Sequence, residues 1–248
     1  MRSLPTPPWL KSVHFNRLLP NAMTVSAIVL GLCAIRCAMN QRWEAAVVCV
    51  GVAALLDGLD GKVARMLKGS TRFGAELDSL SDFLCFGVVP AMLLYEWAMK
   101  DLGGIGWAFV VFFPVCSALR LARFNSELDI ETQPNWKARF FTGVPSPAGA
   151  GIVLLPMIFS FDIGGDLARR PWVAAAFLLG VGLMLISRVP TYRKVGVPMV
   201  WVVPVLAIIL AAVAVKAIWA VLSLAILVYL ASLPFSAARY RVFALKEG

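Results

Sequence analysis

The sequence predicts an all-α, polytopic membrane protein with about eight transmembrane helices. Of its 248 residues, 60% are hydrophobic and 15% are charged, and its mean hydropathy is +0.81. Soluble domains are far less apolar. A helix needs about 20 mainly apolar residues to cross a bilayer, and eight stretches come near or exceed this length. These stretches are residues 22–39, 43–65, 74–99, 104–123, 145–161, 171–187, 197–215 and 217–235.

The basic residues predict the orientation of these spans. If the N-terminus is cytosolic, seventeen of the 23 Lys and Arg residues fall on the cytosolic side. Such an excess indicates an even number of spans with both termini inside, in the cytoplasmic membrane. The net charge of +9 is therefore mainly topological. No basic stripe is interleaved with aromatic residues in a soluble domain, so we expect no nucleic-acid partner.

The N-terminal segment and the cysteines exclude some other classes of site. Residues 1–20 mix apolar residues such as Trp9 with basic residues such as Lys11, which predicts a cytosolic arm lying against the membrane surface. The five cysteines all fall in predicted spans and form no C-x-x-C motif, which argues against a zinc site or a disulfide framework. His14 is the single histidine, lies in this arm, and has no obvious serine partner for a hydrolase triad.

Four aspartates interrupt the second and third spans and mark the predicted functional site. An ionisable residue at membrane depth costs about 2.5–3.5 kcal/mol on insertion scales, so it is retained mainly for function. If the two spans form an antiparallel hairpin that turns at residues 66–73, positions whose numbers sum to 139 face each other. Asp57 then faces Asp82, and Gly61 faces Asp78. We therefore expect the carboxylates of Asp57, Asp60, Asp78 and Asp82 to share one cavity.

A shared cavity of this kind predicts bound metal ions. Four converging carboxylates repel one another unless divalent cations lie between them, and hard oxygen ligands suit Mg²⁺ or Mn²⁺. Two such ions about 3.5–4 Å apart commonly assist in-line displacement at phosphorus. The alternative is a salt-bridge network with basic residues of the hairpin, which are Lys62, Arg65, Lys68 and Arg72.

The residues between the aspartates predict a phosphate-binding surface. Gly61, Ala64 and Gly74 are small and lie on the same helix faces as the acids, so a diphosphate or nucleotide can approach the backbone closely. Small residues also allow the two helices to approach each other. Arg65 supplies a cation that can bind two phosphate oxygens at once.

The spacing of these residues resembles the signature of the CDP-alcohol phosphotransferase family, D-x2-D-G-x2-A-R, about eight residues, then G-x3-D-x3-D. The matching residues are Asp57, Asp60, Gly61, Ala64, Arg65, Gly74, Asp78 and Asp82. The resemblance implies an enzyme in which an acceptor hydroxyl attacks the diphosphate of a CDP-linked lipid or alcohol and CMP is released. It also implies a six-helix core, assigned here to residues 21–190, with two additional C-terminal spans in residues 191–248, and a homodimer.

The resemblance also implies a role for each signature residue. The first three aspartates hold metal ions, and Asp82 contacts metal and acts as the general base. Gly61, Ala64 and Arg65 line the CDP site, to which we add Gly74 because of its size and position.

Three further stretches resemble the bacterial membrane-type phosphatidylserine synthases of this family. They are residues 20–24, 120–125 and 141–148, all on the predicted cytosolic side. This resemblance implies transfer of the phosphatidyl group from CDP-diacylglycerol to the hydroxyl of L-serine, giving phosphatidylserine and CMP. Alternatives are the same chemistry with glycerol 3-phosphate, choline, inositol or inositol phosphate, an aspartate-rich prenyltransferase, or an ion-coupled transporter. Acids confined to one hairpin disfavour the last two.

An amino-acid acceptor needs a cation for its carboxylate, and the end of the fourth span offers candidates. Arg120 and Arg123 lie one helical turn apart, with Asn125 just beyond, so they could form an acceptor site. The alternative role of the two arginines is positive-inside anchoring. Asn21 and Thr24 either cap the first span or touch ligand. The last two spans have few polar residues, which is typical of a scaffold.

Overall fold

The part of the chain that the structure describes is almost entirely helical. The computed structural model describes residues 15–67, 69, 71–128, 140–142, 144–164, 167–187, 190–192 and 218–247. The α-helices are α1 (Phe15–Met39), α2 (Trp43–Met66), α3 (Arg72–Asp82), α4 (Val89–Leu94), α5 (Gly103–Leu128), α6 (Ser146–Ile163), α7 (Pro171–Ile186) and α8 (Ile218–Glu247). Two strands, β1 (Phe140–Thr142) and β2 (Pro190–Tyr192), pair antiparallel with Phe141 opposite Thr191.

Helices α1 and α2 form a tightly packed antiparallel hairpin. Ala27 and Ala34 of α1 and Ala46 and Ala53 of α2 are fully buried. Small side chains at a helix interface let the two backbones approach closely, which is how helices in a membrane commonly associate. The turn between them is completed by Gln41, which has a φ of 57°. As a result α2, which carries Asp57 and Asp60, is held along most of its length by α1.

The helix that begins with α3 continues to residue 102 and then reverses. A π-helical segment (Phe83–Val88) follows α3, and a second one (Tyr95–Met99) and a 3₁₀ turn (Lys100–Leu102) follow α4. Gly103, with a φ of +54°, lies at the reversal into α5 and adopts a backbone conformation that favours glycine. The Tyr95 and Trp107 rings then meet edge to face at 5.5 Å. The predicted third and fourth spans are therefore an antiparallel pair.

Contacts between the helix ends agree with the predicted alternation of loops. At one end, the Arg169 side chain donates a hydrogen bond to the Trp97 carbonyl over 3.2 Å. At the other end, the Arg123 side chain reaches the Ile186 carbonyl, and the β1–β2 pair joins the segments before α6 and after α7. The end of α5 and the segments before α6 and after α7, all predicted to be cytosolic, therefore lie together at this second end.

The surface has the apolar character of a membrane protein. Large apolar side chains point outward, with Val29 at 53%, Leu55 at 66% and Leu224 at 61% exposure. By length and composition, Leu18–Met39 and Arg72–Ser126 are long and apolar enough to cross a membrane, and the second contains both arms around Gly103. Shorter apolar helices cover Ser146–Asp162, Pro171–Ile186 and Ile218–Pro234. Helix α2, which carries the acidic and basic residues of the signature, is not among these stretches.

The all-α and membrane-protein predictions are confirmed, whereas the number of eight spans is not. The predicted span at residues 197–215 lies outside the described residues, as do residues 1–14 of the predicted arm. Helix α1 begins at Phe15, so the border that we expected between arm and core at residue 20 falls within a helix.

Candidate active site

The centre of the site is a pair of facing carboxyl groups on α2 and on the end of α3. The side chains of Asp57 and Asp82 lie within hydrogen-bonding reach of each other. Each has a buried Oδ1 atom without a hydrogen-bond partner among the described residues. Two carboxylates in contact repel strongly, so a proton or a cation must lie between them. This contact agrees with the predicted antiparallel register, in which Asp57 faces Asp82.

The third aspartate is held by helix α1. Asp60 is 4% exposed, and its Oδ2 atom accepts a hydrogen bond of 2.7 Å from the Thr24 hydroxyl. The same hydroxyl lies 3.1 Å from the Pro20 carbonyl oxygen, so its single proton favours the shorter contact to Asp60. Thr24 lies well inside α1, which begins at Phe15, and therefore does not cap that helix. It orients a carboxylate of the site instead.

An open pocket of about 180 Å³ lies between α1, α2 and α3. It is lined by the predicted phosphate-binding residues and by two of the four aspartates. Its lining residues are Pro20, Asn21, Thr24, Asp60, Gly61, Ala64, Arg65, Gly69, Thr71, Gly74, Ala75 and Asp78. Asp78 is an exposed residue, whereas Asp60 is buried and hydrogen-bonded to Thr24. The structure thus brings Gly61, Ala64, Arg65 and Gly74 together, as the spacing predicts.

We expected the small residues of the signature to let α2 and α3 approach each other, and Gly61 and Gly74 do not do so. A Cβ atom at Gly61 would meet only the Arg65 Nη1 atom, at 3.8 Å, so Gly61 faces open space. A Cβ atom at Gly74 would lie 3.1 Å from Asn21 Oδ1 and 3.2 Å from Thr71 Oγ1, so Gly74 packs against α1 and its own helix cap. Helices α2 and α3 have few direct contacts. The gap between them is the pocket.

The four aspartates form one acidic cluster, although they do not surround a single point. Asp78 is close enough to Asp57 and Asp60 to feel their charges, and Asp82 is similarly close to Asp78 and Asp60. Within the described ranges, no three acidic, cysteine or histidine side chains are arranged as ligands around one metal ion. The donor chemistry nevertheless suits a hard divalent cation, because one carboxylate oxygen each of Asp57 and Asp82 is buried without a hydrogen-bond partner in the described part of the chain.

Arg120 is buried beside this acidic cluster. It is 7% exposed, its Nη1 atom donates a hydrogen bond of 2.6 Å to the Ser146 hydroxyl, and its charge acts on Asp82. Its Nε atom is buried and has no hydrogen-bond partner in the described part of the chain. A buried guanidinium with unused donors is available to bind an anion.

The other two candidates for the acceptor site are committed elsewhere. Arg123 donates a hydrogen bond of 2.8 Å to the Ile186 carbonyl at the end of α7. Asn125 donates one of 3.1 Å to the Ser79 hydroxyl on α3. Arg120, Arg123 and Asn125 therefore do not converge on one ligand. Arg123 and Asn125 join α5 to its neighbours, and Arg120 alone faces the acids.

Two contributions to this region were not predicted from the sequence. The hydrogen bond from Thr24 to Asp60 joins residues 36 positions apart, and Tyr229 of α8 is an electrostatic neighbour of Arg120. The stretch at residues 20–24 had indicated that this part of α1 matters, whereas nothing in the C-terminal spans marked Tyr229.

A bundle of membrane helices with a pocket near one end, lined by Asp60, Asp78, Arg65 and small residues, has the features expected of a membrane-embedded phosphotransferase. The paired carboxyl groups of Asp57 and Asp82 lie in the same acidic cluster. The comparison with known families agrees with this class. The chain belongs to the CDP-alcohol phosphatidyltransferase family, whose model matches residues 17–244. Members of this family generally use divalent metal ions.

Three relatives illustrate the similarity. The chain is 41% identical over 233 residues to a CDP-diacylglycerol–serine O-phosphatidyltransferase of Mycobacterium leprae, covering 92% of this chain and 77% of the relative. It is 38% identical over 232 residues to a protein of the same name from Mycobacterium bovis, with 92% and 81% covered. It is 34% identical over 180 residues to one from Helicobacter pylori, with 72% and 74% covered.

Proposed function

We propose that this protein transfers the phosphatidyl group of CDP-diacylglycerol to the hydroxyl of L-serine, producing phosphatidylserine and CMP. The observation that carries the proposal is the contact between Asp57 and Asp82 beside the pocket that Arg65 lines. The names of the relatives in three bacterial species support CDP-diacylglycerol and serine as substrates. The positive-inside distribution of basic residues supports an active site on the cytosolic side of the cytoplasmic membrane, and we expect a homodimer.

The pocket residues bind and orient the donor. Arg65 supplies a forked pair of donors to the diphosphate oxygens. Gly61 and Ala64 leave room for the nucleotide next to the helix backbone, since open space surrounds a Cβ position at Gly61. Asp57, Asp60, Asp78 and Asp82 would hold Mg²⁺ or Mn²⁺, two ions in each active site. When bound, these ions neutralise the diphosphate and stabilise CMP as the leaving group.

The transfer itself needs a base at the acceptor hydroxyl. The serine oxygen forms a bond to the phosphorus of the phosphatidyl group while the bond from that phosphorus to the CMP oxygen breaks. The serine proton passes to Asp82, whose buried Oδ1 atom has no hydrogen-bond partner among the described residues. Asp82 later releases this proton to water. We infer a single in-line step, since the described site contains no histidine and no serine placed as a nucleophile.

A CMP-release assay tests both the acceptor and the base. Purified protein is given CDP-diacylglycerol, Mn²⁺ or Mg²⁺, and serine, glycerol 3-phosphate, choline or inositol in separate reactions. Of the four acceptors, we expect only serine to give CMP release. We expect Asp82→Asn to lower serine-dependent CMP release by at least about 100-fold, the lower limit of a general-base contribution. Glu76→Gln is the matched control, because Glu76 is exposed on the same helix. CMP release with glycerol 3-phosphate and not serine would refute the acceptor, and near-normal turnover of Asp82→Asn would refute the base.

A further inference from the structure

The hydroxyl of Tyr229 is buried in the bundle without a hydrogen-bond partner among the described residues. A buried hydroxyl that makes no hydrogen bond costs free energy, so such a group is usually satisfied by a ligand or by water. Tyr229 lies in α8, in the region that the sequence suggested to be scaffold. Its position therefore raises the question of what the phenol binds.

The packing of α8 places Tyr229 next to the helix that begins with Ser146. Ile226, Tyr229, Leu230 and Leu233 recur at helical spacing and pack into the core, so Tyr229 is on the inward face of α8. Ile226 lies 3.7 Å from a Cβ position at Gly151 of α6, and the rings of Phe161 and Trp219 meet at 4.8 Å. These pairs define an antiparallel α6–α8 contact, in which Tyr229 lies about one turn from Ser146.

Ser146 is the hydrogen-bond partner of Arg120, and Arg120 connects Tyr229 to the acidic cluster. Arg120 is close enough to both Tyr229 and Asp82 to interact electrostatically with each of them. It forms no ion pair within 4.0 Å with an acid of the described chain. Its Nε atom, the Tyr229 hydroxyl and Asp82 Oδ1 are all buried and have no hydrogen-bond partner among the residues that the structure describes. The Arg120 guanidinium, which donates hydrogen bonds, thus has both the Tyr229 phenol and the Asp82 carboxylate as electrostatic neighbours.

We propose that Tyr229 belongs to the acceptor subsite, where its hydroxyl and the Arg120 guanidinium together bind the carboxylate of an amino-acid acceptor. This inference rests on the proposed function and names a residue of its acceptor site. A zwitterion suits the arrangement, because its carboxylate meets the donors of Arg120 and Tyr229 while its hydroxyl and ammonium lie toward Asp82. Helix α8 then contributes to specificity as well as to the scaffold.

Steady-state CMP release with Tyr229→Phe tests this assignment. The variant removes one oxygen atom and keeps the ring that packs against the core. We expect the KM for serine to rise about ten- to hundredfold, the usual effect of losing a hydrogen bond to a charged group. The kcat and the KM for CDP-diacylglycerol should change less than about twofold. With serine methyl ester as acceptor, which has no carboxylate, the variant and the unchanged protein should have similar KM values.

Tyr95→Phe is the matched control, because it removes the same atom from a tyrosine about 20 Å along the helix from Asp82 at 1.5 Å per residue. It should leave both KM values unchanged. An unchanged serine KM in Tyr229→Phe, with serine-dependent CMP release intact in the unmodified protein, would refute the inference alone. Equal increases in both KM values would indicate a general structural role and would also refute it. Absence of serine-dependent CMP release from the unmodified protein would refute the proposed function and this inference with it.

Discussion

Replacing Asp57 by asparagine should stabilise the metal-free protein while abolishing its activity. The carboxyl groups of Asp57 and Asp82 are in contact, and neither has a basic partner within 4.0 Å among the described residues. Asparagine has nearly the same shape, carries no charge, and can donate a hydrogen bond to Asp82. The substitution therefore removes a repulsion without creating a cavity.

The size of the effect follows from Coulomb's law. Two unit charges 4 Å apart repel by about 4 kcal/mol at an effective dielectric constant of 20. A proton shared by the pair relieves part of this repulsion, so we expect the free energy of unfolding to rise by about 1–2 kcal/mol, below that Coulomb limit. For a chain of this length, the corresponding increase in the apparent melting temperature is about 2–8 °C.

The assay is thermal unfolding of the purified protein in detergent, with EDTA or with Mn²⁺, together with CMP release. In EDTA the Asp57→Asn variant should melt at the higher temperature. With Mn²⁺ at about 100 times its Kd, the unmodified protein should gain about 2.7 kcal/mol, and the variant should gain little because it has lost a ligand. CMP release should fall to background. Asp101→Asn is the control, because Asp101 lies in the turn before α5, far from Asp57 and Asp82. This variant should behave like the unmodified protein in all three measurements.

Two results would refute this reasoning. One is an unmodified protein that melts at the same temperature in EDTA, Mn²⁺ and Mg²⁺, because then no cation stabilises the facing carboxylates. The other is an Asp57→Asn variant that melts below the unmodified protein in EDTA, because then the contact between the two aspartates stabilises the fold through a shared proton.

Two further predictions concern the contacts of α1 with the site. Thr24→Val removes the hydrogen bond to Asp60 at nearly constant volume and should raise the Mn²⁺ concentration needed for half-maximal CMP release about 10–100-fold, as loss of a partner to a metal ligand usually does. Thr24→Ser keeps the hydroxyl and should need the same Mn²⁺ concentration as the unmodified protein. An unchanged Mn²⁺ requirement in Thr24→Val would contradict the role of Thr24. Gly74→Ala places a Cβ atom 3.1 Å from Asn21 Oδ1 and should lower the free energy of unfolding by about 1–2 kcal/mol. Gly58→Ala, with open space around the new atom, should raise the free energy of unfolding by up to about 1 kcal/mol. Melting temperatures that shift in the same direction for both variants would contradict the packing of Gly74 against α1.

The contact between Asp57 and Asp82 could be predicted because it depends on two local properties of the sequence. A short turn between two helices makes them antiparallel, and the helical period decides which residues share a face. These two rules also place Gly61 and Asp78 at the same pocket. The spacing of the acids therefore contains most of the geometry of this part of the site.

The contacts that were not predicted depend on tertiary packing between distant segments. The hydrogen bond from Thr24 to Asp60 requires the register of α1 against α2, which is determined by several buried alanines. Tyr229 meets Arg120 only because α8 packs against α6 in a particular register. Arg123 could be recognised as basic and cytosolic, but its use of the Ile186 carbonyl depends on where α7 ends. No local pattern in the sequence encodes these registers.

The architecture suggests why α1 matters to a site whose acids come from α2 and α3. Helix α1 packs against both of them, whereas α2 and α3 barely touch each other. If the two acidic helices packed directly together, the space beside Gly61 would be filled and no diphosphate could reach the backbone. Thr24 of α1 donates a hydrogen bond to Asp60 on α2, and Asn21 of α1 lies beside Gly74 on α3. Helix α1 thus keeps the two helices at a fixed separation. The pocket is therefore maintained by a third helix rather than by the residues that perform the chemistry.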